Sequence, residues 1–236
     1  FFLEGAAVGN PGTCRATIEW DNSSGASVHL PELSREYARG ILRIRPAGEG
    51  FHVSLEIGID DYVYGIGEVP SSWPTAALEA QAIAARTYGV RQALRWGDAG
   101  EGGDALDPGR KAQCWCQLVS TVADQNYVGL AKETELGGEN WVAAVDATAS
   151  TIITHPSASQ QSVIVAYYSS SSGGHTDDNA SGLGASESAP YLQGVPDPWS
   201  KHPLANNPLD EWTVTVSGSD IATAVGLESV TGVPVT

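Results

Sequence analysis

Residues 62–94 read YVYGIGEVPSSWPTAALEAQAIAARTYGVRQAL, and the rest of the chain is organised around them. On the N-terminal side Ile57, Ile59, Tyr62, Tyr64 and Ile66 predict an extended segment running into a Gly65-Ile66-Gly67 turn. A lone carboxylate, Glu68, follows, and then Val69-Pro70-Ser71-Ser72-Trp73-Pro74. Pro74 suits the first turn of a helix, because the amide it lacks would have no intrahelical partner there. From Pro74 to Leu94 only Gly89 interrupts a run dominated by Ala, Leu, Gln, Glu and Arg, all good helix formers. The stretch therefore predicts a helix over about 74–94, with Glu68 in the strand-to-helix connection, a common place for a functional side chain on a rigid scaffold.

Working outward, Tyr37–Arg45 and Phe51–Ile59 alternate and read as strands, with Pro46–Gly50 as the hairpin turn between them. Thr17–Trp20 reads as a short strand in an otherwise irregular start broken by Pro11-Gly12, Asn22–Gly25 and Pro31. Downstream, Cys114–Val122, Ser162–Tyr168 and Trp212–Val216 read as strands, and Trp141–Thr148 and Asp220–Val225 as short helices. The expectation is an α+β fold. A mixed or antiparallel sheet packs around the Ala-rich helix, with a substrate groove on one face. Residues 1–35 form an irregular segment packed on a single domain, 36–236. Gln81 and Arg86 lie among the helix alanines. A buried arginine must be paired, so Arg86 is either a structural strut or a substrate contact.

Composition narrows the function classes. The formal charge is −16. This argues against nucleic acid, which needs a basic face, and against anchoring on anionic lipid. A neutral or amphoteric glycan stays compatible. No apolar run reaches membrane-span length, and no leader is visible at Phe1-Phe2-Leu3-Glu4, as in a mature or trimmed chain. There are three cysteines, Cys14, Cys114 and Cys116. The last two are too close for a relaxed bridge, so Cys14 with one of them is the preferred pair. Cys-x-Cys falls outside the usual zinc spacing, and the Gly97–Gly109 loop lacks the calcium-loop pattern. No metal or cofactor is expected.

The helix stretch also carries a resemblance. Glu68 to Tyr88, EVPSSWPTAALEAQAIAARTY, resembles the signature of the SpoIID/LytB family of bacterial cell-wall proteins. There an acidic residue precedes Met-Pro, then Trp-Pro, then Leu-x-Ala-Gln-Ala-x-Ala-Ala-Arg-Thr-Tyr; Val69 replaces the usual Met. Three further segments follow in family order: Asp124-Gln125-x-Tyr127-x-Gly129, Ser170-Ser171-x-Gly173-Gly174-His175-Thr176, and Pro190-Tyr191-Leu192-x-x-Val195-x-Asp197-Pro198.

The resemblance implies a secreted, cell-wall peptidoglycan lytic transglycosylase with Glu68 as its single catalytic carboxylate. Val69, Pro70 and Trp73 would desolvate that carboxylate and favour its protonated form, while the nearby helix start would oppose them. The implied substrate contacts are Gln81, Arg86, Gln125, Tyr127, Ser170, Ser171, His175, Thr176 and Tyr191. The implied partner is the glycan strand. A second reading is a non-catalytic wall binder that enhances a partner amidase. A serine hydrolase using Ser170 or Ser171 with His175 would need nucleophile and base in one short Gly-rich loop, which is no known solution.

Overall fold

The computed structural model describes residues 15–48, 50–99, 105–159, 161–182, 184, 188–205, 207–208 and 211–228. The chain falls into two compact units, Phe1–Tyr168 and Ser169–Thr236.

The first unit is α+β. Strands β1 (Ala16–Ile18), β4 (Ile41–Ala47) and β5 (Gly50–Glu56) form one antiparallel sheet in the order β1-β4-β5. β2 (Val28–Leu30) and β3 (Arg35–Tyr37) form a separate antiparallel pair. The β4–β5 hairpin runs in register from Ile41 opposite Glu56 to Ala47 opposite Gly50. Pro46 is tolerated within it because β1 pairs only with Leu42 to Ile44, so the missing amide interrupts no ladder on that side. The single strand expected over Tyr37–Arg45 is split. Gly40 has φ +102° and lies so close to β5 that a Cβ would stand 2.7 Å from the Glu56 carbonyl oxygen, so the chain turns there between β3 and β4.

The segment expected to be extended before Glu68 is instead a helix, α1 (Ile59–Tyr64). Ile59, Tyr62, Val63 and Ile66 stand at the i, i+3, i+4, i+7 spacing of one helix face. Asp60 and Asp61 occupy the first turn, where they complement the helix dipole. Tyr62, Val63 and Ile66 are buried.

α2 (Thr75–Trp96) buries a stripe of Leu78, Ala82, Ala85, Gly89 and Gln92, spaced four, three, four and three residues apart, the pattern of a helix with one inward face. It packs against α1 and against α5 (Gly138–Ala147). Trp141 of α5 is fully buried and donates its indole N–H to the carbonyls of Val63 and Tyr64 at 3.2 and 3.1 Å. It thereby satisfies the open C-terminal end of α1. One core joins sheet and helices: Leu30, Tyr37 and Leu42 cluster with Tyr62, Leu78, Ala82, Tyr127, Trp141 and Val145.

Three strand expectations are corrected. Cys114–Val122 is a turn region following α3 (Pro108–Gln113), folded back on itself by a Cys114–Cys116 disulfide. Trp115 between them is in the left-handed region at φ +52°. That brings the two Cα atoms to 5.2 Å, within disulfide range. The expected pairing through Cys14 is thus replaced; Cys14 itself lies outside the described residues. Among the described residues Ser162–Tyr168 makes one bridge, Val163 with Thr154, because Gln161 and Ser162 are both left-handed and the Val163 carbonyl accepts from Arg91 instead. In the second unit Trp212–Val216 is exposed and forms no strand. The helix expected there is present as Gly218–Val225, with the Ser217 hydroxyl accepting from the Asp220 amide as its N-cap.

Candidate active site

The first two sequence motifs are zipped together. Ile66 bridges to Tyr127 antiparallel. The Gly67 amide donates to the Asn126 carbonyl at 2.8 Å, and the Val128 amide donates to the Gly65 carbonyl at 2.7 Å. Glycine is required for this approach: a Cβ at position 65 would stand 2.4 Å from Tyr127 Cε2. The pairing continues by one residue into the side chain of Glu68. Its Oε1 accepts the Asn126 amide at 2.7 Å and the Tyr168 hydroxyl at 3.3 Å. Oε2 has no protein partner among the described residues. Glu68 is partly solvent-exposed.

A buried polar network fastens the loop that follows. Lys132 of α4 (Ala131–Thr134) is 1% exposed. Its ammonium donates to the Val69 carbonyl at 2.6 Å and to Glu135 Oε1 at 2.5 Å. The same Glu135 oxygen accepts the Ser71 hydroxyl at 2.6 Å and the Ser71 amide at 3.3 Å. Asn140 donates to the Ser71 carbonyl at 3.3 Å. Burial works against the Glu135 charge, but the bonds from Lys132 and Ser71 outweigh it and hold this carboxyl below its ordinary range. Of the apolar residues expected to surround Glu68, Val69 packs on the core while Pro70 and Trp73 are exposed.

Several expected substrate contacts turn inward. Arg86 is 0% exposed. Its guanidinium pairs with Asp60 at 2.6 Å and donates to the carbonyls of Thr151 and Val145 at 3.3 and 3.4 Å. That is the geometry of a strut tying α1, α2 and α5 together. Gln125 is also 0% exposed. Its amide oxygen accepts from the Tyr62 hydroxyl at 3.0 Å, and its NH2 donates to the Tyr168 hydroxyl at 2.9 Å. Tyr127 is the middle ring of a stack, 6.2 Å from Tyr37 and 5.3 Å from Tyr62. Gln81 keeps a buried Nε2 with no partner among the described residues.

In the second unit the third and fourth motifs are zipped in the same manner. His175 bridges to Pro196, the Thr176 amide donates to the Val195 carbonyl, and the Val195 amide donates to the Thr176 hydroxyl, both at 2.9 Å. Ser171 accepts from Asn207 at 2.9 Å, and Ser172 donates to Asp197 at 2.7 Å. His175 Nδ1 faces the Thr176 carbonyl at 2.6 Å, and no serine hydroxyl bonds it among the described residues. A Ser–His pair is therefore not formed. Ser170 is exposed, and Tyr191 is partly buried.

Sequence reasoning missed two members of this arrangement. Tyr168 carries no signal in the sequence beyond closing the expected strand Ser162–Tyr168. Asp124 was read only as part of a motif, yet it accepts from Tyr88, Arg110 and the Val119 amide and so fixes the segment that presents Asn126.

Residues 47–155 match the family described as stage II sporulation protein, SpoIID. The segment that carries Glu68, Gln125 and Lys132 is SpoIID-like. An uncharacterized protein of Brachyspira hyodysenteriae is 41% identical over 58 residues, covering 24% of this chain and 16% of that relative's length. Among the described residues there is no helix long and apolar enough to cross a membrane, and no cluster of His, Cys, Asp and Glu able to hold a metal ion.

Proposed function

We propose that this protein is a peptidoglycan lytic transglycosylase, acting outside the cell on glycan strands of the wall. It would cleave the β-1,4 bond between N-acetylmuramic acid and N-acetylglucosamine with Glu68 as general acid and then base. The observation that carries the reading is the state of Glu68: one oxygen is anchored by a backbone amide and a phenol, and the other has no partner among the described residues. It stands in a SpoIID-like segment, a family tied to sporulation and the wall. The charge of −16 suits a glycan better than a polyanion.

The chemistry needs one carboxyl group. The protonated Glu68 gives its proton to the glycosidic oxygen as the C1–oxygen bond breaks. The resulting carboxylate takes the proton of the muramic C6 hydroxyl as that oxygen bonds to C1. The 1,6-anhydro ring closes, no water is consumed, and Glu68 returns to its starting form. Lys132, Glu135 and Ser71 keep the Glu68 loop in place, while Arg86, Gln125 and Tyr127 support it from within the core. For the second unit, taken by itself, glycan contacts are assigned to Ser170, Ser171, His175, Thr176 and Tyr191.

The test is digestion of purified glycan strands, with and without stem peptides, followed by mass spectrometry for anhydro-muramic ends. Wild type is expected to produce them, and Glu68→Gln to lose about 100- to 10,000-fold in rate while still binding strands. Binding by wild type with no anhydro ends on either substrate decides for a non-catalytic wall binder.

A further inference from the structure

Among the described residues Glu68 hydrogen-bonds one side chain, that of Tyr168, and the direction of that bond follows from chemistry. An ionised carboxylate only accepts hydrogen bonds, so the Tyr168 hydroxyl must donate to Glu68 Oε1. Its oxygen is then left to accept, and the group facing it is Gln125, which must present its NH2 there. The Gln125 amide oxygen consequently faces the buried Tyr62, whose hydroxyl donates to it. Tyr62, Gln125 and Tyr168 each donate to the next group along, ending on Glu68, and the middle link, the Gln125 amide, is fully buried. Burial, with the Glu68 carboxylate beside it, pushes the Tyr168 phenol well above its ordinary range, so the hydroxyl remains a donor at every pH of interest.

We infer that Tyr168 is a positioning residue that, together with the Asn126 amide, decides which oxygen of Glu68 does the work. Two donors converge on Oε1. An oxygen that accepts two hydrogen bonds is a poor place for the acid proton, so the proton of the acid form resides on Oε2, the oxygen with no partner among the described residues. The arrangement serves both halves of the reaction unchanged. Oε1 accepts as the carbonyl oxygen of the acid and as one oxygen of the carboxylate, while Oε2 gives the proton and takes it back. This inference rests on the reading of Glu68 as the acid and base, and it adds a residue outside the family match, which ends at residue 155.

The experiment compares wild type, Glu68→Gln and Tyr168→Phe on glycan strands, with melting temperature measured on each. Tyr168 is 37% exposed and Phe keeps the ring, so the variant should fold, with a modestly lower melting temperature because the buried Gln125 NH2 loses its acceptor. The expected result is a fall in kcat of about ten- to hundredfold, the worth of a hydrogen bond to a charged group, with KM within about twofold of wild type. Wild-type kcat in Tyr168→Phe, with Glu68→Gln inactive, overturns the inference and leaves the reading of Glu68 standing. A lower melting temperature with raised KM and unchanged kcat makes Tyr168 merely structural and also overturns it. An active Glu68→Gln, or a wild type that makes no anhydro ends, removes the reading of the site and this inference with it.

Discussion

The amide N–H of Asn126 reaches Glu68 Oε1 at 2.7 Å across a sequence separation of 58 residues. It does so because Gly65 and Gly67 lie flat against residues 126–128. Gly65→Ala places a methyl 2.4 Å from the buried Tyr127 ring, and overpacking of this kind typically costs about 1–3 kcal/mol. Urea unfolding should show that loss, and anhydro-product formation per folded molecule should fall as well, since the Asn126 amide is displaced from Glu68.

Arg86→Ala should destabilise the protein by about 1–3 kcal/mol, the cost of leaving buried acceptors without a donor, since Asp60 is itself partly exposed. Its partner Asp60 and the Val145 and Thr151 carbonyls lose their donor. Denaturant titration measures the loss. Strand binding by the folded fraction should be unchanged, because no part of Arg86 is exposed.

Lys132→Met removes the ammonium that holds the Val69 carbonyl and Glu135 together. The side chain has similar length and no charge, so the fold should persist while the Glu68 loop loosens. The expected outcome is a kcat loss with increased amide exchange at Val69–Ser72, read by hydrogen exchange. Glu135→Gln should be worse for stability than Lys132→Met, since it leaves a cation buried without its carboxylate.

Acid stability should track Asp60. Burial opposes its charge, but the Ser150 amide and hydroxyl and the Arg86 guanidinium outweigh that and hold the carboxyl below its ordinary value. A depressed folded value means the contribution is fully present above the ordinary carboxylate range and is lost as pH falls through the depressed one, below about 4. Melting temperature against pH should therefore drop below pH 4 in wild type, and the gap to Asp60→Asn should close there.

The Cys114–Cys116 bridge uses two of three cysteines. The unfolded, unreduced protein should show one reactive thiol and the reduced protein three. A loop this short removes little chain entropy, so reduction should cost only about 1–2 kcal/mol.

The central helix was legible because twenty residues of strong formers outweigh any competing signal. The hairpin was legible from its alternation. α1 was misread because Ile57, Ile59, Tyr62, Tyr64 and Ile66 also fit a loose period of two, and the deciding evidence, two aspartates in the first turn, is a modest local term. Ser162–Tyr168 has strand composition, but the left-handed Gln161 and Ser162 and the Arg91 guanidinium on the Val163 carbonyl keep it from extending a ladder, which no single segment can announce. In the site, Glu68 was legible from its neighbours. Gln125 and Arg86 were recognised as special, but polarity alone does not say whether a side chain faces a ligand or another helix. Tyr168 was invisible, since its role exists only when residues separated by 100 positions are brought together.

That reach sets where this protein can be cut. A fragment ending at residue 155, where the family match stops, would retain Glu68, the Asn126 amide and the Lys132 network. It would lose the buried Val163 and Ala166, the carbonyls that Arg91 uses at Ser159 and Val163, and the phenol on the acid. Expression trials that trim to the matched stretch should yield a less stable protein whose carboxylate has lost one of its two donors. The smallest useful fragment for crystallisation or screening ends no earlier than Tyr168.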